Sequence, residues 1–402
     1  MNLVSAAAGG RLERSAATVA DAWLAWSVLA EPGDEAAGAL VHLWGPQAAL
    51  TWLAQALADP VAATHALAPE LQPRDVDTLV RASERWGRRA ADLDVDAVRQ
   101  RSEQCGARIV LRGDPQWPHA VDDLGVAAPF VLWVRGDGDL RVLGSQAVAL
   151  VGARSCTAYG DHMAAQLAAD LAQAGRVVVS GGAYGIDAAA HRGALAAGGQ
   201  SLAVMAGGVD RLYPVGNSDL LARTMRSGLV VSEVPPGWAP HRSRFLSRNR
   251  VIACAAATVV VEAAHRSGAL NTVGHAQRLM RPVAAVPGPA TSASSVGCHR
   301  LVRDQEAVLV TCAAEVIELT GPLEIAAVVQ PDVDTGRLDF ARPEDRAAFD
   351  ALGRRSLLEG DIAVTAGLTA PQVRAALGRM EATGLVERDR GGWRRRSGAS
   401  LI

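Results

Sequence analysis

The chain has 402 residues, enough for two or three domains, and 49% of them are hydrophobic, so sizeable cores can be buried. A formal net charge of -2 excludes a global positive field, so any polyanion site has to come from local clustering. There is no lysine: all 40 basic residues are arginine, which excludes a Schiff-base lysine and the lysine of a P-loop.

Five cysteines, Cys105, Cys156, Cys254, Cys298 and Cys312, form no CxxC pair and are odd in number. That argues against a disulfide framework or a zinc module and leads us to expect a reducing cytoplasm. The first residues lack a basic stretch followed by a clean apolar core. The longest nearly unbroken apolar run, VIACAAATVVV, is too short to span a bilayer, so no export or membrane role is expected.

Apolar residues at three- and four-residue spacing predict helices in DAWLAWSVLA, GALVHLWGPQAALTWLAQALA and VDTLVRASERWGRRAADL, so residues 1–105 read as a small all-α domain. The Pro-, Gly- and Trp-rich stretch ARIVLRGDPQWPHAVDDLGVAAPFVLWVRGD is expected to be irregular structure wrapped around the next domain's first strand. From residue 146 short runs alternate with helical stretches: AVALVG, RVVVSGG, SLAVMAGG, GLVVSE, TVVVEA, PVAAVPG and AVLVT. Continuous apolar strands between helices predict a doubly wound, mostly parallel, Rossmann-like α/β sheet covered on both faces, over residues 106–320.

Residues 321–342 lose periodicity and read as a linker. Residues 343–402 give three helices and a strand, turn, strand ending. There Thr369 is an N-cap, Pro371 sits in the first turn, Val373, Leu377 and Met380 share one face, and Gln372, Arg374 and Arg379 lie opposite. With Gly391 and Gly392 at the hairpin turn and Arg388, Arg390, Arg394, Arg395 and Arg396 along it, a winged helix is expected. A small interaction domain that touches no DNA is the alternative.

Ligands of open α/β sheets lie outside the carboxyl ends of the strands. Gly181, Gly182 and Gly185 precede one helix, Gly207 and Gly208 end another strand, and Ser267 and Gly268 precede a third helix with Asn271 and Thr272 in its first turn. Any one of these reads as a tight βα turn. Their repetition, with Arg154 on one side and Arg242, Arg244, Arg248 and Arg250 of HRSRFLSRNRVIA on the other, describes a track for successive phosphates. Phe245 adds a stacking ring among those arginines.

Asp187 and His191, at i and i+4, permit an acid–base pair, although an aspartate in a helix's first turn is more often a dipole-favoured cap. Glu262 ends a strand facing the ligand region, where it either orients Arg248 or Arg250 or acts on a substrate. GARSCTAYG is not GxGxxG, which disfavours hydride transfer.

VGARSCTAYG, VSGGAYGIDAAAHRGAL, MAGGVDRLYP, FLSRNRVIA and EAAHRSGALNT, in this order and spacing, resemble the DNA processing protein A family (DprA, also called Smf) over about residues 106–318. The preceding helices resemble that family's sterile-alpha-motif or helix-hairpin-helix-like domain, and the last module resembles the winged helix that some members carry. The resemblance implies a homodimeric single-stranded DNA-binding protein that protects incoming DNA and loads the recombinase RecA during natural transformation, without catalysis, metal or cofactor. It implies strand-binding roles for Arg154, Ser180, Gly181, Gly207, Gly208, Arg242 and Phe245. Gly182, Arg248, Asn249, Arg250, Ser267, Gly268, Asn271 and Thr272 complete the candidate DNA-binding set. The family often reads SGSLITA where this chain has SGALNTV, so Asn271 stands in place of an apolar residue.

Two other classes stay open. One is a phosphoribohydrolase-like nucleotide-processing enzyme, whose PGGxGTxxE motif is absent here. The other is a winged-helix transcription regulator sensing a ligand in its α/β domain.

Overall fold

Thr18, Asp34 and Asp94 each stand one residue before a helix and accept a backbone N–H from its first turn, at 3.0, 3.3 and 2.9 Å. These caps start three of the six helices among the described residues that open the chain: α1 (Leu3–Ser15), α2 (Val19–Leu29), α3 (Glu35–Ala58), α4 (Pro60–Leu67), α5 (Pro73–Ala90) and α6 (Val95–Gln104). The computed structural model describes residues 3–67, 72–144, 146–320, 340, 342–352, 356–389 and 391–396. The expected linker therefore lies outside the described residues except at 340 and 342, as does Arg390. The described residues fall in two compact units divided after residue 325.

In the first unit a nine-stranded sheet runs in the order β1-β2-β6-β5-β4-β3-β7-β8-β9. Its strands are β1 (Arg108–Leu111), β2 (Val131–Arg135), β3 (Ala147–Val151), β4 (Val177–Ser180), β5 (Ser201–Met205), β6 (Leu229–Ser232), β7 (Ala257–Val260), β8 (Val283–Ala285) and β9 (Val308–Leu309). All seven strands expected after residue 146 are present and pair with one another in parallel. The expectation for the preceding stretch is corrected: β1 pairs antiparallel with β2, and β2 antiparallel with β6. In its middle His119–Ala127 forms a 3-10 helical segment, the flanking RIVL and VLWVR runs find partners at the sheet edge, and β2 is buried along most of its length.

The intervening helices are α7 (Ala158–Gln173), α8 (Ile186–Ala196), α9 (Ser218–Ser227), α10 (Arg242–Ser247), α11 (Asn249–Ile252), α12 (Ala269–Arg278), α13 (Val296–Arg303) and α14 (Ala313–Thr320). Val148, Leu150, Val178 and Val259 pack with α7, α8 and α14, while Ala149, Val151, Val179 and Val260 pack with α11 and α12. Alternate residues of one strand thus serve opposite layers, as a sheet covered on both faces requires. The first six helices share a core with the sheet: Trp26 meets Trp86 edge-on at 5.2 Å and Phe130 at 6.1 Å, and Trp133, Met205 and Val230 belong to the same cluster. No described helix is long and apolar enough to cross a membrane.

From β3 the chain winds outward through β4, β5 and β6, then returns to β7 on the other side of β3. The loops after β3 and β7 therefore diverge and open a crevice at this switch point.

The second unit holds α15 (Pro343–Ala351), α16 (Glu359–Ala366), α17 (Ala370–Ala382) and the hairpin of β10 (Val386–Asp389) and β11 (Gly392–Arg395) around Phe349, Ile362, Val373, Leu377, Met380 and Trp393. Gln372 reaches back to accept the Thr369 N–H at 2.9 Å, completing a capping box. Three of the arginines placed on the polar face of α17 and along the hairpin are engaged within the unit. Arg379 binds Asp345 (3.0 Å), Arg394 binds Glu387 (2.8 Å) and Arg395 donates to the Phe349 carbonyl (2.8 Å).

Candidate nucleic-acid interface

The crevice at the switch point is a cleft of about 700 Å³. One wall is the turn after β3. A Cβ on Gly152 would sit 2.5 Å from Ile186, and one on Gly185, whose φ is +74°, would sit 2.2 Å from the Ala153 carbonyl. Only glycines allow α8 to approach this turn so closely, and the Ile186 N–H seals it by donating to the Ala153 carbonyl at 3.1 Å. Arg154, the next residue, is left exposed at the rim, with no ion pair among the described residues.

The opposite wall is α10. Phe245 is half-buried, with the Arg154 guanidinium carbon 5.0 Å from its ring centroid, that of Arg248 at 5.9 Å, and the Tyr213 ring at 6.0 Å. Arg242, exposed and without an ion pair among the described residues, lines the same cleft. Ser267, Gly268 and Thr272, at the start of α12, close the third side, with Asn249 beneath. Arg154, Arg242, Phe245, Arg248, Asn249, Ser267, Gly268 and Thr272 are thus brought together as the spacing suggests.

Of the strip's other arginines, Arg248 lines the cleft from a buried position, and Arg244 and Arg250 turn away to acidic partners. Arg248 is 5% exposed and donates to the Gly181 carbonyl (2.6 Å) and the Val204 carbonyl, with Asp187 at 3.9 Å. Burial pulls its pKa down to about 10, leaving it charged at neutral pH. Arg250 is buried against Glu233 (2.7 Å), and Arg244 binds Glu31 through two nitrogens at 2.8 and 2.9 Å. Asn271 accepts from Asn249 at 3.2 Å and does not line the cleft.

Several glycine loops are structural where open anion cradles were expected. Gly181 gives its N–H to Asp187 (3.1 Å), and a Cβ there would lie 2.0 Å from the Arg248 guanidinium. Gly182 is buried at a φ of +67°, and the Ser180 hydroxyl is spent on the Leu150 carbonyl (2.7 Å). Gly207 and Gly208 are covered by residues 235–240, and the Gly208 N–H donates to the Trp238 carbonyl at 2.9 Å. Glycine in these turns admits neighbouring chain, a requirement that a sequence pattern does not separate from room for phosphate.

The carboxylates follow the same rule. Glu262 accepts from the Thr157 N–H (2.9 Å) and hydroxyl (2.6 Å), fixing the start of α7, so it is partner to neither Arg248 nor Arg250. Asp187 faces Arg248 and the amides of Gly181 and Ala183. His191 instead lies 2.7 Å from the Ser201 oxygen, so the two form no acid–base pair. Burial drops His191 to about 3, a neutral core histidine. Leu246, Ser155 and Ser294, which the pattern did not single out, also line the cleft, and Tyr213 extends the aromatic patch.

A family model described as DNA recombination-mediator protein A matches residues 108–321, more than half of the chain. This chain belongs to the DprA family. A relative from Mycobacterium tuberculosis that carries the DprA name is 42% identical over 387 residues, spanning 93% of this chain and 94% of its own. The DNA processing protein DprA of Streptococcus pneumoniae is 39% identical over 191 residues, covering 47% of this chain and 66% of its own length. The crystal structure of the Streptococcus pneumoniae DprA aligns with a TM-score of 0.54 at 31% identity, covering 65% of this chain and 92% of that one. The DprA match spans every strand of the nine-stranded sheet and the whole cleft. The opening helices lie before it.

Proposed function

We propose that this DprA-family chain binds single-stranded DNA in the cleft between the turn after β3 and α10, shielding the strand and passing it to the recombinase RecA as part of a homodimer. The observation that supports the reading best is the Arg154–Phe245–Arg242 grouping. Arg154 lies over the half-buried Phe245 ring and Arg242 lines the same cleft, both exposed and without an ion pair among the described residues. Arginine pairs bidentately with phosphate, and an aromatic platform accepts any base, so the chemistry suits a strand of any sequence. Arg154 and Arg242 take phosphates and Phe245 takes a base, while Arg248 stiffens the wall from behind. The C-terminal unit is a winged helix in this reading, with Arg374 on the open face of α17.

The test is a titration of the full chain with single- and double-stranded oligonucleotides of increasing length at several salt concentrations. Preference for single strands, weakened in Arg154→Ala, is expected. Tighter binding to one duplex sequence would favour a transcription regulator, and release of free base from nucleoside monophosphates would favour an enzyme. RecA transfer is checked by filament assembly on strands pre-coated with a single-strand binding protein, which the chain should accelerate. Sedimentation of the free protein reads the dimer.

A further inference from the structure

A second cleft, of about 770 Å³, opens on the other side of α10, between α5, α6 and residues 238–241. The two clefts share one ridge. His241 and Arg244 face this cleft, while Arg242 and Phe245 face the first, so residues three apart share a cleft and adjacent residues face opposite ones. A single helix, about 10–12 Å across with its side chains, is all that separates the two.

Trp238 forms the floor of the second cleft. It is half-buried, with the Arg244 and Arg89 guanidinium carbons 4.6 and 5.3 Å from its ring centroid. Glu31 holds both arginines in place, and their bonds to it lower its pKa to about 2 against the effect of burial. The backbone under the indole is fixed at two points: the Gly208 N–H donates to the Trp238 carbonyl (2.9 Å), and the Gly237 N–H donates to Asp210 (2.8 Å).

At the rim Arg88 and Arg101 are exposed and carry no ion pair among the described residues. Besides Glu31, two further carboxylates line the cleft. Asp94 is committed to capping α6, and Asp92 lies beside it. A fixed aromatic platform with unpaired guanidinium groups at its edge is the same chemistry as the Phe245 cleft.

We infer that the Trp238 cleft is a second subsite for the same single strand, which crosses α10 from Phe245 and stacks a base on Trp238 while Arg88 and Arg101 take the flanking phosphates. This rests on the single-strand reading of the first cleft. It gives the opening helices, through α5 and α6, a direct part in binding.

The test measures affinities of the full chain for oligothymidylates of increasing length in wild type, Trp238→Ala, the Arg88→Ala/Arg101→Ala double variant and Phe245→Ala. Strands too short to cross α10 should bind wild type, Trp238→Ala and the double variant alike. Longer strands should bind Trp238→Ala and the double variant about tenfold more weakly than wild type. The double variant changes only exposed side chains, so its fold is preserved if Trp238→Ala proves unstable. If both variants match wild type at every length while Phe245→Ala is weakened, or if their loss is the same for short and long strands, the second subsite is overturned and the first stands. Indifference of Phe245→Ala as well would overturn the single-strand reading itself.

Discussion

Arg248 and Arg154 lie against the same phenylalanine and differ in what surrounds them. Arg248 is buried under two carbonyls and near Asp187, so Arg248→Ala leaves a buried carboxylate and two carbonyls without their cation. A loss of about 3–5 kcal/mol in denaturant-derived stability is expected. Arg154 is exposed, so Arg154→Ala should leave the melting temperature unchanged while weakening single-strand affinity about tenfold, as read by anisotropy. Phe245→Ala should cost more affinity for a normal strand than for an abasic one, and equal losses would remove its stacking role.

His191 gives a pH signature. Unfolded, it takes a proton near 6.5; folded, only near 3, because burial penalises the charge. Its contribution to stability is therefore complete above pH 6.5 and lost as pH falls toward 3, at about 1.4 kcal/mol per unit. His275, lowered to about 4, adds to this with the same sign. The difference between wild type and His191→Leu isolates the His191 share, and identical pH profiles would contradict it.

At the scale of elements, the loop from Glu233 to His241 and the short helix α10 organise the candidate site. This segment covers the Gly207–Gly208 turn, presents Trp238 to one cleft and Phe245 to the other, and is tied through its Arg244 to Glu31 and through its Glu233 to Arg250 of α11. Strands β3 to β9 were legible because uninterrupted apolar runs between helices have few other solutions. Strands β1 and β2 were not, because β1 is a short, partly exposed edge strand and the proline- and glycine-rich text between them dominates the reading. The Asp187–His191 spacing was legible as geometry, but Ser201, ten residues beyond His191, captures the ring. All cleft residues lie before residue 320, so a chain ending there should keep its single-strand affinity within about twofold of the full chain, measured by the same titration.

For the whole molecule, the formal charge of -2 means that binding a polyanion depends on which arginines remain unpaired. Arg154 and Arg242 qualify around the first cleft, with Arg266 exposed on the turn after β7. For a strand too short to leave the first cleft, three neutralised phosphates give a log–log salt slope of about -2, shallower than a count of every arginine in the strip would give. A slope near zero would mean that the contacts are not to phosphate.

The sequence by itself determined the parallel sheet, the order of its loops and the family motifs, because strand burial and βα turns are written in local apolar runs and glycines. Only the tertiary structure decided which arginines are free. The acids that claim Arg244, Arg248 and Arg250 are Glu31, Asp187 and Glu233, and the first two come from distant parts of the chain. A buried guanidinium requires a partner wherever the fold can supply one, and no spacing along the chain records that choice.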